Sequence, residues 1–205
     1  MKKFKSEDLI HKLQEDVRQI IAAAEHFRGI DKIKLNYPPA EGSWSVVQVL
    51  EHLNMYNRHY LPEIEKSVAI IPKEWSSWFV PGFFGDYFTR LMLPGNVYEV
   101  KNKMKAPKGY RPEKTLNSEA VLDEFIQHQN KLLQLLEISQ KRNLNEIRIP
   151  ITISKLVKLK LGDTFRFLVA HEQRHMLQAR NALKTLGIST SQFPVLMSGM
   201  ALAGR

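Results

Sequence analysis

Apolar residues recur at helical spacing in four long stretches of the chain, each the signature of a helix that buries one face. Residues 6 to 28 carry Ile10, Leu13, Val17, Ile20, Ile21, Ala24 and Phe27 in such a stripe, with Ser6 as the candidate N-cap and Glu7 and Asp8 in the first turn. A connector with Pro38, Pro39 and Gly42 follows. Ser45 and Gln48 then spell a capping box for a second helix with a stripe of Val46, Val49, Leu50, Leu53, Tyr56, Tyr60 and Ile64. Pro62 is expected to kink or shorten it. A third helix is predicted over 118–136, with Val121, Leu122, Phe125, Ile126, Leu132, Leu133 and Leu136 inward. The fourth opens at Gly162-Asp163-Thr164, the expected N-cap, and closes at Gly187, placed as its C′ residue. Its stripe is Phe165, Leu168, Val169, Met176, Ala179 and Leu183.

Two segments break this pattern. Residues 72 to 117 form a long connection in which seven aromatics, Trp75, Trp78, Phe79, Phe83, Phe84, Tyr87 and Phe88, fall within fourteen positions. Left exposed they would make a sticky patch, so the segment is expected to bury itself, with Phe83 to Leu93 as a short amphipathic helix. A satellite core, a wall of a substrate pocket and a dimer face are the three readings, and the aromatics incline to a homodimer. Between residues 143 and 160, Ile147, Ile149, Ile151 and Ile153 alternate around Pro150, which reads as an extended stretch or short hairpin. The fold expected is all-α, a four-helix bundle, with a connector long enough to let the second and third helices run parallel.

At 205 residues the chain has the length of one domain, taken as 1–190, and the Gly-, Ser- and Met-containing tail from 191 to 205 leaves disorder open. There is no cysteine, which excludes disulfides and thiolate ligands, so any nucleophilic thiol has to arrive with a substrate or cofactor. Neither a signal peptide nor a membrane-spanning run is visible, and a soluble, cytoplasmic protein without a membrane partner is expected. The net charge is +9 and the pI near 9.7. Lys101, Lys103, Lys105, Lys108, Arg111 and Lys114 crowd one connector, and Lys155, Lys158, Lys160 and Arg166 precede the last helix. With no nucleic-acid-binding motif, these read as solvated loops or as a rim that attracts an anionic small molecule.

The candidate chemistry lies in HEQRH, His171 to His175. On a helix these two imidazoles stand one turn apart on the same face, as a transition-metal pair requires. The spelling also fits H-E-x-x-H, in which Glu172 would be a general base. Zincins take a third ligand downstream, yet residues 176 to 205 contain no His, Asp or Glu. The third ligand therefore has to come from upstream, and His52, on the border of the second stripe, is the best candidate. A half-exposed filler is the alternative reading of His52, and an inter-helical salt bridge is that of Glu172. His59 and His128 lie near apolar borders, His128 as a weaker fourth candidate, and His11 and His26, near helix ends, are not assigned to the site.

Trp44-Ser45 followed by His52, then H-x-x-x-H and Gln178 on the last helix, resembles the DinB/YfiT-like superfamily over residues 6 to 187. Gln48 stands where that family often has an acidic residue. The resemblance implies an up-down-down-up four-helix bundle in which three histidines hold zinc, nickel or a similar ion. It implies a metal-dependent hydrolase with His52, His171 and His175 as ligands and Glu172 tuning or relaying protons. It equally admits a thiol S-transferase or isomerase using a bacillithiol- or mycothiol-type thiol. A non-enzymatic, stress-related binding protein is the reading from another class.

Overall fold

A two-residue strand, β1 (Phe4–Lys5), leads directly into the first long helix, α1 (Ser6–His26), which ends in a 3-10 turn over Phe27–Gly29. The computed structural model describes residues 3–70, 74–94, 104–152, 154–191 and 193, with 154–156 as backbone. Ser6 is not the cap. Lys5 holds that position without a side-chain cap, while the Ser6 hydroxyl and amide donate to the carbonyls of Ser76 (2.7 Å) and Ser77 (2.9 Å). The cause is tertiary: β1 pairs antiparallel with β2 (Trp78–Phe79), Phe4 opposite Phe79, and pulls Ser6 onto the connector.

A short helix, α2 (Lys32–Asn36), is capped by the Asp31 carboxylate. In α3 (Val46–Ala69) the capping box forms: Ser45 Oγ accepts from the Gln48 amide at 3.2 Å and Gln48 Oε1 accepts from the Ser45 amide at 3.0 Å. α3 continues through Pro62 to Ala69, so the expected shortening does not occur. Pro62 and Arg58, four residues earlier, are both on the exposed side, where water can satisfy the carbonyl that proline leaves unpaired.

The connector contains α4 (Phe83–Met92), one residue short of the expected helix. Most of its aromatics do not bury themselves. Phe79 is buried and Phe88 is half-buried against the core, while Trp75, Trp78, Phe83, Phe84 and Tyr87 stay exposed, Phe83 by 82%. The inward face of α4 belongs instead to Gly85 and Thr89. At Gly85 a Cβ would lie 2.2 Å from Asp163 Cγ, so the glycine lets α4 close onto the last helix. There Arg166, buried and not part of a solvated rim, bridges Asp163 (3.1 Å) and Asp86 (2.8 Å).

The third long helix is α5 (Ser118–Ser139), capped by the Asn117 side chain. An antiparallel hairpin follows, β3 (Arg148–Ile151) and β4 (Ser154–Lys160), with a register shift at Pro150/Ile151. Ile147, Ile149 and Ile151 are buried, as the alternation predicts; Ile153 lies outside the described residues. The last helix, α6 (Leu161–Thr185), starts straight out of β4, so Asp163 and Thr164 are inside its first turn and do not cap it. Asp163 instead accepts from the Gly82 amide at 2.8 Å, and the Thr164 hydroxyl donates to the Lys160 carbonyl. The end of α6 matches expectation: Gly187 has φ +73°, Ile188 N–H donates to the Leu183 carbonyl and Gly187 N–H to that of Lys184, a Schellman closure.

α3 packs on α5 and α6, and α1 packs on the same two, so the four long helices lie around the bundle in the order α1, α5, α3, α6. Leu13, Val17, Ile20, Val49, Leu53, Phe125, Leu132, Phe165, Leu168 and Met176 fill the centre. Among the described residues no helix is long and apolar enough to cross a membrane. Of the expected tail, only residues 191 and 193 are described; Phe193 is buried, with its ring 5.7 Å from that of Phe27.

Candidate metal centre

α3 and α6 lie side by side, and their facing turns carry the three histidines singled out in the sequence. His52, His171 and His175 each offer a ring nitrogen, and these atoms lie within 4.8 Å of one another. His52 Nε2 and His171 Nε2 lie 3.3 Å apart. His52 and His171 are buried, and His175 is half-buried. His59 and His128 are elsewhere: His59 Nε2 is 3.3 Å from the Pro150 carbonyl, and His128 Nδ1 is 3.1 Å from Asn54 Oδ1.

The far side of two rings is already engaged. His52 Nδ1 lies 2.7 Å from the Tyr110 carbonyl, which can only accept, and His175 Nδ1 lies 2.9 Å from Gln178 Oε1. Donating there places the proton of each neutral ring on Nδ1 and leaves the Nε2 lone pair facing inward, the tautomer a metal requires. Burial lowers the pKa of His52, opposed by the Tyr110 carbonyl, and holds those of His171 and His175 well below the ordinary value, with repulsion from His52 and other neighbouring cations adding to it. All three are therefore neutral at pH 7. Neutral imidazole lone pairs crowded this closely, with no carboxylate in the cluster, fit a divalent transition-metal ion. His171 Nδ1 is buried without a hydrogen-bond partner.

The sequence contained no signal for the Tyr110 carbonyl. It comes from a 3-10 turn (Lys108–Tyr110) in the basic connector, 58 residues from its histidine. Gln48 helps to hold that connector: its Oε1 completes the capping box while its Nε2 donates to the Glu113 carbonyl at 3.1 Å. A carboxylate could accept in this way but could not donate, so the amide at position 48 does both tasks. Trp44, just before the cap, lies with its ring 4.9 Å from His52 and 6.3 Å from His175.

Glu172 is not brought to this cluster. Its carboxylate is 1% exposed and turned into the bundle, where Oε1 accepts from Asn57 Nδ2 at 3.1 Å on α3 and from Gln129 Nε2 at 2.8 Å on α5. Among the described residues its partners are these amides, neither an imidazole nor a cation. Burial pushes its pKa up to about 7, against the lowering by the two amides.

The histidines open into a cavity of about 1030 Å³. Tyr56, Tyr60, Phe88 and Phe167 supply much of its wall, and Lys105, Arg111 and Arg174 also line it. Lys108 and Lys114 are exposed away from it, and Lys101 and Lys103 lie outside the described residues. Burial, assisted by Tyr60 and Tyr110, pushes the Tyr56 hydroxyl up to about 12, so it stays a donor at any working pH.

Among solved structures the chain is similar to YfiT from Bacillus subtilis, described as a probable metal-dependent hydrolase with an unusual four-helix bundle topology. The two share 16% identity and a TM-score of 0.52, over 90% of this chain and 89% of that one, a likeness of fold. No curated protein matches. A family model described as the DinB superfamily matches residues 15–179. With that match running over most of its length, on a mostly helical fold like that of YfiT, the chain belongs to the DinB superfamily.

Proposed function

We propose that His52, His171 and His175 hold one divalent transition-metal ion, zinc or nickel, and that the protein is a metal-dependent hydrolase acting on a small molecule in the adjoining cavity. One observation carries this reading: ring nitrogens of three neutral imidazoles converge within 4.8 Å, two of them with Nδ1 tied to an oxygen, at the wall of a large cavity. Three protein ligands leave a position for substrate or water, as catalytic sites do. When bound, such an ion supplies Lewis acidity for making a nucleophile from water and for polarising a scissile group.

The chain's own residues hold the geometry and shape the cavity. The Tyr110 carbonyl and Gln178 fix two ring orientations, Trp44 covers the cluster, and Tyr56 offers a phenol that keeps its proton. Glu172 serves as a positioning residue, tying the turn of α6 that carries His171 to α3 and α5. The up-down-down-up order of the long helices belongs to the same reading, supported by the long connection from α3 to α5.

A second reading, thiol S-transfer or isomerisation with a low-molecular-weight thiol, is favoured by the absence of Asp and Glu from the described residues that line the cavity. Hydrolysis gains from a carboxylate base beside the water, whereas a thiolate is already a nucleophile. Elemental analysis of protein purified without a His-tag tests the metal. About one ion per chain is expected in the parent and none in His175→Ala; no ion in either overturns the proposal. Ester or amide cleavage without thiol then supports the hydrolase, and thiol consumption with monobromobimane supports the transferase.

A further inference from the structure

We propose that the outer face of α4 is the interface of a two-fold homodimer, so that its partner is a second copy of this chain. Trp75, Trp78, Phe83, Phe84 and Tyr87 come from one short stretch and are between 40% and 82% exposed. Phe83 and Tyr87, one helical turn apart, share a face of α4, and the Phe84 ring lies 5.5 Å from that of Phe83. A buried aromatic side chain removes about 150–250 Å² from water, so the exposed parts of these five amount to roughly 550 Å². The largest apolar patch of a typical monomer is about 300–600 Å². A stable interface takes about 800 Å² from each partner, and these aromatics alone supply most of it.

Charge decides what covers this face. The chain carries +9, yet residues 70 to 94 hold Lys73 and Arg90 against Glu74 and Asp86 and have no net charge. Arg90 pairs with Asp86 at 2.6 Å within α4. Lys3, whose ammonium lies 4.3 Å from the centre of the Trp78 ring, and Lys5, opposite Trp78 in the strand pair, add positive charge nearby, and Glu7 and Asp8 stand exposed in the next turn. An anionic lipid surface or a nucleic acid would be held by uncompensated cations around the aromatics. Two copies of a +9 chain, by contrast, approach each other most easily where neither brings net charge. An aromatic centre poor in charge is also the composition of interface cores. A two-fold axis sets α4 against its copy, each Phe83 and Tyr87 facing the same surface of the other chain. The opposite side of α4 carries Phe88 and Met92, which line the cavity, so the second copy braces the cavity wall from behind.

Sedimentation equilibrium of the full-length protein tests this, beside a double variant combining Phe83→Asp with Tyr87→Asp and a control, Ile33→Asp, at an exposed apolar position on α2. At micromolar concentration the parent and Ile33→Asp are expected at twice the 23.8 kDa chain mass, and the double variant at the chain mass. Its dimer dissociation constant should rise about a hundredfold or more, because each change occurs twice in a two-fold interface. The chain has no cysteine, so Tyr87→Cys introduces a single thiol. A short bis-maleimide should join two chains through it and fail to do so in Ile33→Cys. A monomeric parent, a dimer that survives the double variant, or linking through Ile33→Cys as efficient as through Tyr87→Cys overturns the proposal. A monomeric parent that co-sediments with phosphatidylglycerol vesicles also overturns it and gives this face to lipid. Should the double variant not fold, the linking experiment decides: no linked dimer from Tyr87→Cys overturns the proposal.

Discussion

Replacing Glu172 by Gln should leave the metal-free protein's stability nearly unchanged at acid pH and raise it at pH 8. The carboxyl is buried between α3, α5 and α6, with Asn57 and Gln129 donating to Oε1. Its Oε2, and the side-chain carbonyl oxygens of Asn57 and Gln129, have no hydrogen-bond partner. A proton on Oε2 adds a donor where only acceptors are otherwise left, in line with a pKa pushed up to about 7 from 4.5. Because the folded state binds this proton more tightly than the unfolded chain, the stability it contributes is complete below pH 4.5 and is lost as pH rises through 7. A shift of that size corresponds to about 3 kcal/mol. Glutamine is isosteric, never ionises and supplies its own N–H donor. In urea unfolding with a chelator present, the variant should therefore exceed the parent by about 3 kcal/mol at pH 8, and the difference should shrink steadily towards pH 4.5. Histidine titration is common to both proteins and cancels in the difference. A difference that does not vary with pH, or a parent more stable than the variant at pH 8, would show that the carboxylate is charged in the fold and refute the reasoning.

Gln178→Leu removes the acceptor that orients His175, and zinc affinity measured by competition with a chromophoric chelator should fall about tenfold to a hundredfold. Gly162→Ala would put a Cβ 2.6 Å from the buried Phe79 ring, and chemical denaturation should report a loss of about 1–3 kcal/mol. Arg166→Met strands Asp163 without its buried cation, with a loss of about 3–5 kcal/mol in the same assay. The three site histidines are held neutral, so the unfolded chain takes up protons first as pH falls. Metal-free protein should lose stability as pH falls from 6.5, and a His171→Phe variant should lose less.

The four long helices, the capping box at Ser45 and Gln48, the glycine that closes α6 and the three histidines were all legible from residue order. Each is a local property: a stripe repeats at 3.6 residues, a cap needs a particular side chain three positions away, a left-handed φ favours glycine, and two ligands four apart share a helix face. The failures share a different origin. Ser6 left its capping role for the Ser76 and Ser77 carbonyls, and Asp163 for the Gly82 amide and Arg166. Phe83, Phe84 and Tyr87 of α4 face outward because Gly85 and Thr89 meet α6, and Glu172 turned to amides on two other helices. The Tyr110 carbonyl behind His52 and Arg174 in the cavity wall had no sequence signal at all. Each of these depends on groups from distant segments competing for one hydrogen bond, one charge or one space, and that competition is resolved only when the helices pack.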